Sequence, residues 1–368
     1  MKAAVAGLGI GMAHVAGYLQ SSQAELYAVC DLIPERLAKV RGTFDQGSML
    51  CLEPLFDEKM LTGQWGDIGV KTFTSLDELL KDDAVDIISI CTPDYLHAEH
   101  AEKAVRAGKH LLLEKPVDIR IEQAEKLHSV LESSEKLFCL GYEFRVNPAV
   151  LKMKELADSG AVGSVEAFSL YHFRTPFRRD KWQSWIQQKE KSGGLIVEET
   201  CHWFDLARYI TGKEVESLHC VTADGIHDDF DFEDIAYING TYRNGGILQI
   251  SHALTGFDFS LQLTLHGSNG TVWCGLKEES YSSLDDGKTD YLGIVSYGKP
   301  GGVPKDTEVF TWGEEATEPW NIMEMTKNFV ACVAEERKPI ADFSDGIESL
   351  KLSLLAGESA RDGRIKYV

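Results

Sequence analysis

The apolar positions along the chain fall into two rhythms. In the first third, short apolar runs over residues 3–6, 25–30, 71–74, 85–91 and 110–113 alternate with segments of helical period. The run over 85–91 reads as a buried parallel strand. The intervening helices are predicted over 12–20, 34–40, a short segment after Ser75, and the alanine-rich 96–107, stopped by Gly108. Pro34 is a first-turn residue, and Ser75-Leu76-Asp77-Glu78 has the spacing of a capping box. This alternation predicts one doubly wound parallel sheet over residues 1–118.

The rhythm then changes. A helix over 119–135, a strand over 137–141 and a helix around 148–159 lead to runs of period two at 165–173, 216–222, 235–242, 246–253, 260–266 and 271–275. Short turns between them imply antiparallel pairing. Helices over 319–336 and 344–362 close the chain. The expectation is an α/β protein: a Rossmann domain over 1–118, then an α+β domain over 119–368 with a large, mostly antiparallel sheet. Residues 42–69, rich in glycine and polar residues, form an unusually long insertion. It reads as a surface excursion, with a lid or an interface piece as the other reading. There are no repeats and no low-complexity segment.

Composition narrows the function classes. The length, 368 residues, suits two domains, and the net charge of −21 argues against a nucleic-acid or membrane-surface partner. The eight cysteines are scattered, without a Cys-x-x-Cys or a zinc spacing, and read as free thiols of a reducing cytosol. No leader is read, and no apolar run approaches the roughly 18 residues of a membrane span. The expectation is a cytoplasmic enzyme.

Three stretches carry candidate chemistry. Gly7-Leu8-Gly9-Ile10-Gly11 lies between the first strand and first helix, where glycine allows a tight turn and the helix N-terminus favours phosphate. Asp31 ends the second strand, where a carboxylate meets the ribose hydroxyls of NAD. Regular spacing would put a glycine at Met12, so the turn is expected to be one residue tighter. Leu32, rather than a cation, follows Asp31 and favours NAD over NADP.

Lys115 ends a parallel strand, at the sheet edge where α/β folds bind ligands; a structural salt bridge is the alternative. In the second domain Gly193-Gly194 precedes Glu198, His202 and Asp205, whose i, i+4, i+7 spacing places them on one face of a predicted helix. A carboxylate one turn from a histidine suits a general base. Glu198 and His202 could also ligate zinc, but no third ligand has a convincing spacing, and no metal is expected. Arg174, Arg178, Arg179, Lys181, Trp182 and Trp185 make a basic, aromatic segment in an acidic chain. It reads equally as a substrate loop that stacks on a sugar ring and as an ion-pair segment between subunits or domains.

Together these stretches resemble the Gfo/Idh/MocA oxidoreductases, the glucose–fructose oxidoreductases, inositol dehydrogenases and their relatives, over nearly the whole chain. The resemblance rests on the glycine turn with His14, Cys91-Thr92-Pro93-Asp94 with His97, and Ala107-Gly108-Lys109-His110 leading to Glu114-Lys115-Pro116. It continues through Gly141-Tyr142, Arg145 and Pro148 to Gly193-Gly194, Glu198, His202 and Asp205.

The resemblance implies a tightly held NAD(P), a sugar, glycoside or cyclitol substrate, and homodimers or homotetramers built through the open sheet. It places the catalytic lysine on Lys115, the catalytic histidine on His202 and its companion carboxylate on Glu198. The usual D-x-G-x-H reads here with Glu for Asp and Thr for Gly, so Glu198 is expected to orient His202. The cofactor would be lined by Gly7, Gly9, Ile10, Gly11, Met12, Asp31, Leu32, Arg36, Cys91, Thr92, Pro93, Asp94, His97, Glu114 and Lys115. Tyr142, Arg145, Arg174, Lys181, Trp182, Trp185 and Asp205 would face substrate. The expected reaction is NAD-dependent oxidation of a ring hydroxyl. The alternatives are an NAD-assisted glycosidase or epimerase working through transient C3 oxidation without net NADH, and a non-enzymatic sensor, against which intact Lys115 and His202 argue.

Overall fold

A computed structural model describes residues 1–41, 70–174, 184–224, 227–255, 259–278, 291–297, 303, 305–316 and 318–368. The predicted insertion over 42–69 lies outside them. Strands β1 (Lys2–Ala6), β2 (Glu25–Cys30), β3 (Lys71–Phe73), β4 (Ile87–Ile90), β5 (His110–Leu113) and β6 (Phe138–Leu140) form one sheet in the order β3-β2-β1-β4-β5-β6. All five pairings are parallel. Ala3, Ala4, Val5, Ile87, Ile88 and Leu111–Leu113 are fully buried, as in parallel strands covered on both faces. The strand order reverses between β1 and β4, the switch point at which such sheets bind ligands.

The first compact unit does not end at residue 118. β6 completes the same sheet through its pairing with β5, and Phe138, Cys139 and Leu140 are buried in it. The unit comprises Met1–Glu143, Arg178–Ile186 and Pro319–Leu350, and Leu140 N–H donates to Ala341 O within it. Backbone pairing and apolar burial thus carry the unit past the point where the sequence rhythm changes. The capping box at Ser75 does not form either. The Leu76–Leu80 helix starts there without a side-chain cap, and Glu78 pairs with Lys81.

The second unit comprises Phe144–Phe177, Gln187–Glu318 and Lys351–Val368. Its sheet contains β7 (Val165–Phe173), β8 (Val215–Ala223), β9 (Ile235–Tyr242), β10 (Ile247–Ala253), β11 (Phe259–Gly267), β12 (Gly270–Glu278), β13 (Tyr291–Tyr297), β14 (Asp306–Trp312) and β15 (Lys366–Tyr367). The order is β14-β13-β12-β11-β7-β10-β9-β8-β15. Every pairing is antiparallel except β7 with β10. Helical segments intervene after β7, and the β8–β9–β10 meander returns beside it in the same direction.

Phe168, Leu170, Ile238, Leu248, Ile250 and Leu263 line the covered face together with Phe204, Ala207 and Ile210 from the Thr200–Thr211 helix. Each aliphatic side chain so buried contributes roughly 1.5–3 kcal/mol. β13 to β15 lie beyond the predicted strands. β14 is exposed along nearly its whole length, so its side chains carry no alternation to read. Among the described residues no helix is long and apolar enough to cross a membrane, and the seven described cysteines are free and buried.

Candidate active site

In the first unit the carboxyl ends of β1, β2, β4 and β5 bring the cofactor candidates together. Gly7 has φ +92°, and a Cβ there would lie 2.2 Å from Cys91 O. Only glycine can carry the chain past β4 at this point. Gly11 opens the Gly11–Gln20 helix, where a Cβ would meet Val5 and Cys91 at 3.0–3.3 Å. Gly11 therefore serves the close helix–strand packing, one residue earlier than the regular spacing. The Met12 side chain is buried at 5% exposure.

The helix start has no side-chain cap, and Ile10 beside it is 38% exposed. Asp31 accepts from Leu8 N–H and Ile33 N–H, both at 2.8 Å, and faces the Arg36 guanidinium at 3.6 Å. Leu32 is 81% exposed.

Glu114 and Lys115 follow β5. The Glu114 carboxylate is buried against His14 Nε2 at 2.7 Å, and His14 Nδ1 meets Ser89 Oγ at 3.1 Å. Tyr18 OH continues the chain to Ser89 Oγ at 2.8 Å. Burial alone would raise the Glu114 pKa, but the His14 bond and the nearby charges of His14, Lys115 and His97 hold it below the ordinary value. Lys115 N–H donates to Glu114 Oε2 at 3.2 Å, so this buried chain fixes the backbone that carries the lysine.

His97 departs from its expected place. It is buried, with Nδ1 2.6 Å from Pro116 O and Nε2 2.7 Å from Thr92 O. It ties the loop after β4 to the loop after β5, and both ring nitrogens are engaged with protein. Burial lowers its pKa against the pull of the two carbonyls, Glu114 and Asp118. Thr92 Oγ1 pairs with His100 Nδ1 at 2.9 Å, Asp94 and Cys91 are buried, and Pro93 precedes the Asp94–Leu96 turn.

In the second unit the segment around His202 is not one continuous helix. Gly193 and Gly194 have φ of +78° and +72°, and a Cβ at Gly193 would strike Val197 at 2.5 Å. The Gly194–Glu198 helix ends at Glu199 (φ −116°, ψ −38°), and a second helix runs Thr200–Thr211. Glu198 thus ends one helix while His202 and Asp205 belong to the next, so a single shared helical face does not exist. All three are buried. The His202 ring packs edge-on to Phe144 at 5.6 Å and beside Trp203 at 5.7 Å.

Two substrate candidates prove to be each other's partners. Arg145 Nε and Nη2 donate to Asp205 Oδ2 and Oδ1 at 2.8 and 2.6 Å in a buried fork, and the guanidinium lies over the Tyr209 ring at 4.7 Å. Arg174 Nη1 donates to Glu199 Oε1 at 2.9 Å. Tyr142 is fully buried, and Trp185, on the Ser184–Gln187 turn, is partly buried. Lys181 and Trp182 lie outside the described residues.

A family model described as the oxidoreductase family with NAD-binding Rossmann fold matches residues 1–142, and the GFO/IDH/MocA C-terminal domain matches 150–273. The chain belongs to the GFO/IDH/MocA oxidoreductases. It is an NAD(P)-dependent oxidoreductase whose first domain is an NAD-binding Rossmann fold. It is similar to an inositol 2-dehydrogenase of Rhizobium meliloti, 24% identical over 267 residues and 72% of each chain. It is also similar to a myo-inositol 2-dehydrogenase of Thermotoga maritima, 26% identical over 298 residues, 79% of this chain and 80% of that one. An oxidoreductase of Agrobacterium radiobacter, solved with NAD+, L-tartaric acid and magnesium, shares the fold. Its TM-score is 0.77, over 100% of this chain and 98% of its own, at 19% identity.

The family's cofactor fits this chain's residues. A left-handed glycine, an uncapped helix start and a carboxylate at the end of β2 are the donor and acceptor set a dinucleotide needs. Asp31 keeps acceptor capacity beyond its two backbone bonds.

Sequence reasoning missed His172, Glu199 and His252. His172 and His252 fall on inward positions of β7 and β10, so a histidine in the apolar half of a strand's alternation was their signal. Burial lowers the His172 pKa to about 4, and the bonds and charges around Glu199 hold that carboxylate well below its ordinary value despite burial.

Proposed function

We propose that this protein is an NAD-dependent dehydrogenase that oxidises a ring hydroxyl of a cyclitol, sugar or glycoside. One observation carries the reading. The same chain has a dinucleotide-type glycine turn, a lysine at the carboxyl end of β5 held by a buried Glu114–His14 pair, and a buried histidine at the start of a helix. The relatives named as inositol 2-dehydrogenases support the substrate class.

In this reading NAD, when bound, accepts the hydride. His202 takes the hydroxyl proton, and the Lys115 ammonium hydrogen-bonds the oxygen as negative charge develops on it. Glu198 orients His202. Substrate contacts come from Tyr142, Arg174, Lys181, Trp182 and Trp185, while Arg145 and Asp205 brace the Thr200–Thr211 helix. Asp31 gives preference for NAD over NADP, buried free thiols suit a reducing cytosol, and copies of the chain join through the nine-stranded sheet.

The test is mass spectrometry of products after incubation with NAD and a panel of cyclitols, free sugars and glycosides, with NADH read alongside. An oxidised product with matching NADH is expected. Lys115→Met and His202→Asn should each lower kcat by about 10²–10⁴-fold, the range for a lost proton-transfer or oxyanion group, while NAD binding persists. Cleaved or epimerised product without NADH would overturn the dehydrogenase reading. Full turnover in either variant would remove that residue from the mechanism.

A further inference from the structure

β7 and β10 pair in parallel with His172 directly opposite His252. On the covered face of the sheet the two imidazoles stand side by side, ring centroids 5.0 Å apart. Glu199 meets both. His252 Nε2 is 3.1 Å from Glu199 Oε2, and His172 Nε2 is 3.7 Å from Oε1. All three side chains are buried, and their ligand atoms lie within 4.8 Å of one another. Two atoms bound to one tetrahedral zinc at 2.0–2.1 Å are roughly 3.4 Å apart, close to the 3.1 Å between His252 Nε2 and Glu199 Oε2.

On the far side of each ring, Nδ1 faces an oxygen acceptor. His172 Nδ1 lies 2.9 Å from Ser260 O, a carbonyl that can only accept. His252 Nδ1 lies 2.8 Å from Thr200 Oγ1, whose own hydroxyl donates to Leu195 O at 3.0 Å. Both Nδ1 atoms therefore donate, and both Nε2 atoms turn toward the carboxylate. A histidine held at Nδ1 by an oxygen acceptor, with Nε2 directed at a convergence point, has the outer-sphere arrangement of a metal ligand. Glu199 has the Arg174 guanidinium on one oxygen, and the two imidazoles converge on the same buried carboxylate.

We propose that His172, Glu199 and His252 form a buried site for one divalent transition-metal ion of the zinc class. Imidazole nitrogens with one carboxylate oxygen are a donor set suited to zinc and its neighbours, and ill suited to calcium or magnesium. Arg174 occupies the Oε1 side of Glu199 and leaves Oε2 to the ion. Its positive charge lowers the affinity. The ligands come from two central strands and from the break just before the helix that carries His202. The ion ties that helix start to the sheet and takes no part in hydride transfer.

The full-length protein, purified without chelator or metal-affinity resin, is assayed for metal by inductively coupled plasma mass spectrometry. It is then stripped and titrated with Co²⁺. One transition-metal ion per chain is expected, with a visible Co²⁺ band of four-coordinate intensity that saturates at one equivalent. Glu199→Gln keeps the side chain's size but removes the anionic ligand. Thr200→Val removes only the oxygen that holds His252. Both variants, checked for folding by circular dichroism, should bind Co²⁺ about 10–100-fold more weakly, and Arg174→Gln should bind it more tightly. A folded wild-type protein with no stoichiometric metal and no saturable band would overturn the proposal and leave a proton between His252 and Glu199 as the cation. Equal Co²⁺ binding by wild type and Glu199→Gln would overturn it as well.

Discussion

At the scale of single residues, Asp31 shows how one side chain ties several segments of the fold together. Its carboxylate fixes the glycine turn through Leu8 N–H and the start of the next segment through Ile33 N–H, and it neutralises Arg36. Hydrogen bonds to a charged acceptor are worth about 1.5–3 kcal/mol, so losing those to the ribose weakens binding by roughly 10–100-fold. Asp31→Ser should therefore lower NAD affinity by that order. It also leaves Arg36 available to a 2′-phosphate, so preference should move toward NADP. Adding Arg36→Ala should abolish the NADP gain while leaving the NAD loss. Titration of both cofactors against the wild type and the two variants checks this, and an unchanged NADP-to-NAD ratio in Asp31→Ser would contradict it.

At the scale of elements, the start of the Phe343–Asp362 helix depends on Asp342. Its Oδ1 accepts from Ser344 N–H at 2.9 Å and Asp345 N–H at 3.3 Å, and Lys338 Nζ is 2.7 Å from Oδ2. Burial alone would raise its pKa, yet the Lys338 ammonium and the Ser344 bonds hold it down at about 2, below the ordinary aspartate value. A folded-state pKa below the unfolded one gives stability that is complete above the unfolded pKa and lost as pH falls through the folded value. Asp342→Ala should cost about 1 kcal/mol at neutral pH. In urea unfolding from pH 5 downward, the gap to wild type should narrow as pH drops toward 2. A constant gap across that range would assign the effect to packing.

The same scale shows what the sequence could convey. Where periodicity is strong, strands such as β5, β7 and β9 appear with the predicted bounds, because burial of one or both faces imposes the pattern. The helix through Glu198 and His202 was legible as apolar period but not as two helices. At the break, the Glu199 side chain bonds to Arg174 and His252, residues far away along the chain. Arg145 and Asp205 have the same lesson: each was a sound candidate for an anionic or hydroxylated ligand, and only the fold shows that they complete each other. Lys115, by contrast, was legible because its place at a strand's carboxyl end is fixed by local order alone.

At the scale of the whole molecule, the uncovered face of the nine-stranded sheet remains to be accounted for. Register aligns Tyr171 with Ser251, Ser251 with Tyr237 and Tyr237 with Val221 across four neighbouring strands. Tyr171, Tyr237 and Val221 are 40%, 47% and 57% exposed, and Ser251 between the two tyrosines is buried. Large apolar side chains exposed close together on a sheet face mark an interface, and a sheet face is suited to a second copy of itself. In a two-fold interface each substitution is met twice, so one charge in this row places two like charges in the contact. Tyr237→Asp should weaken self-association by at least about 30-fold, the effect of removing an interfacial aromatic worth about 2 kcal/mol. Sedimentation velocity over a concentration series, with circular dichroism to confirm the fold, reads the outcome. A wild-type chain that stays monomeric throughout would reject the sheet as an interface, as would a Tyr237→Asp protein that associates like wild type.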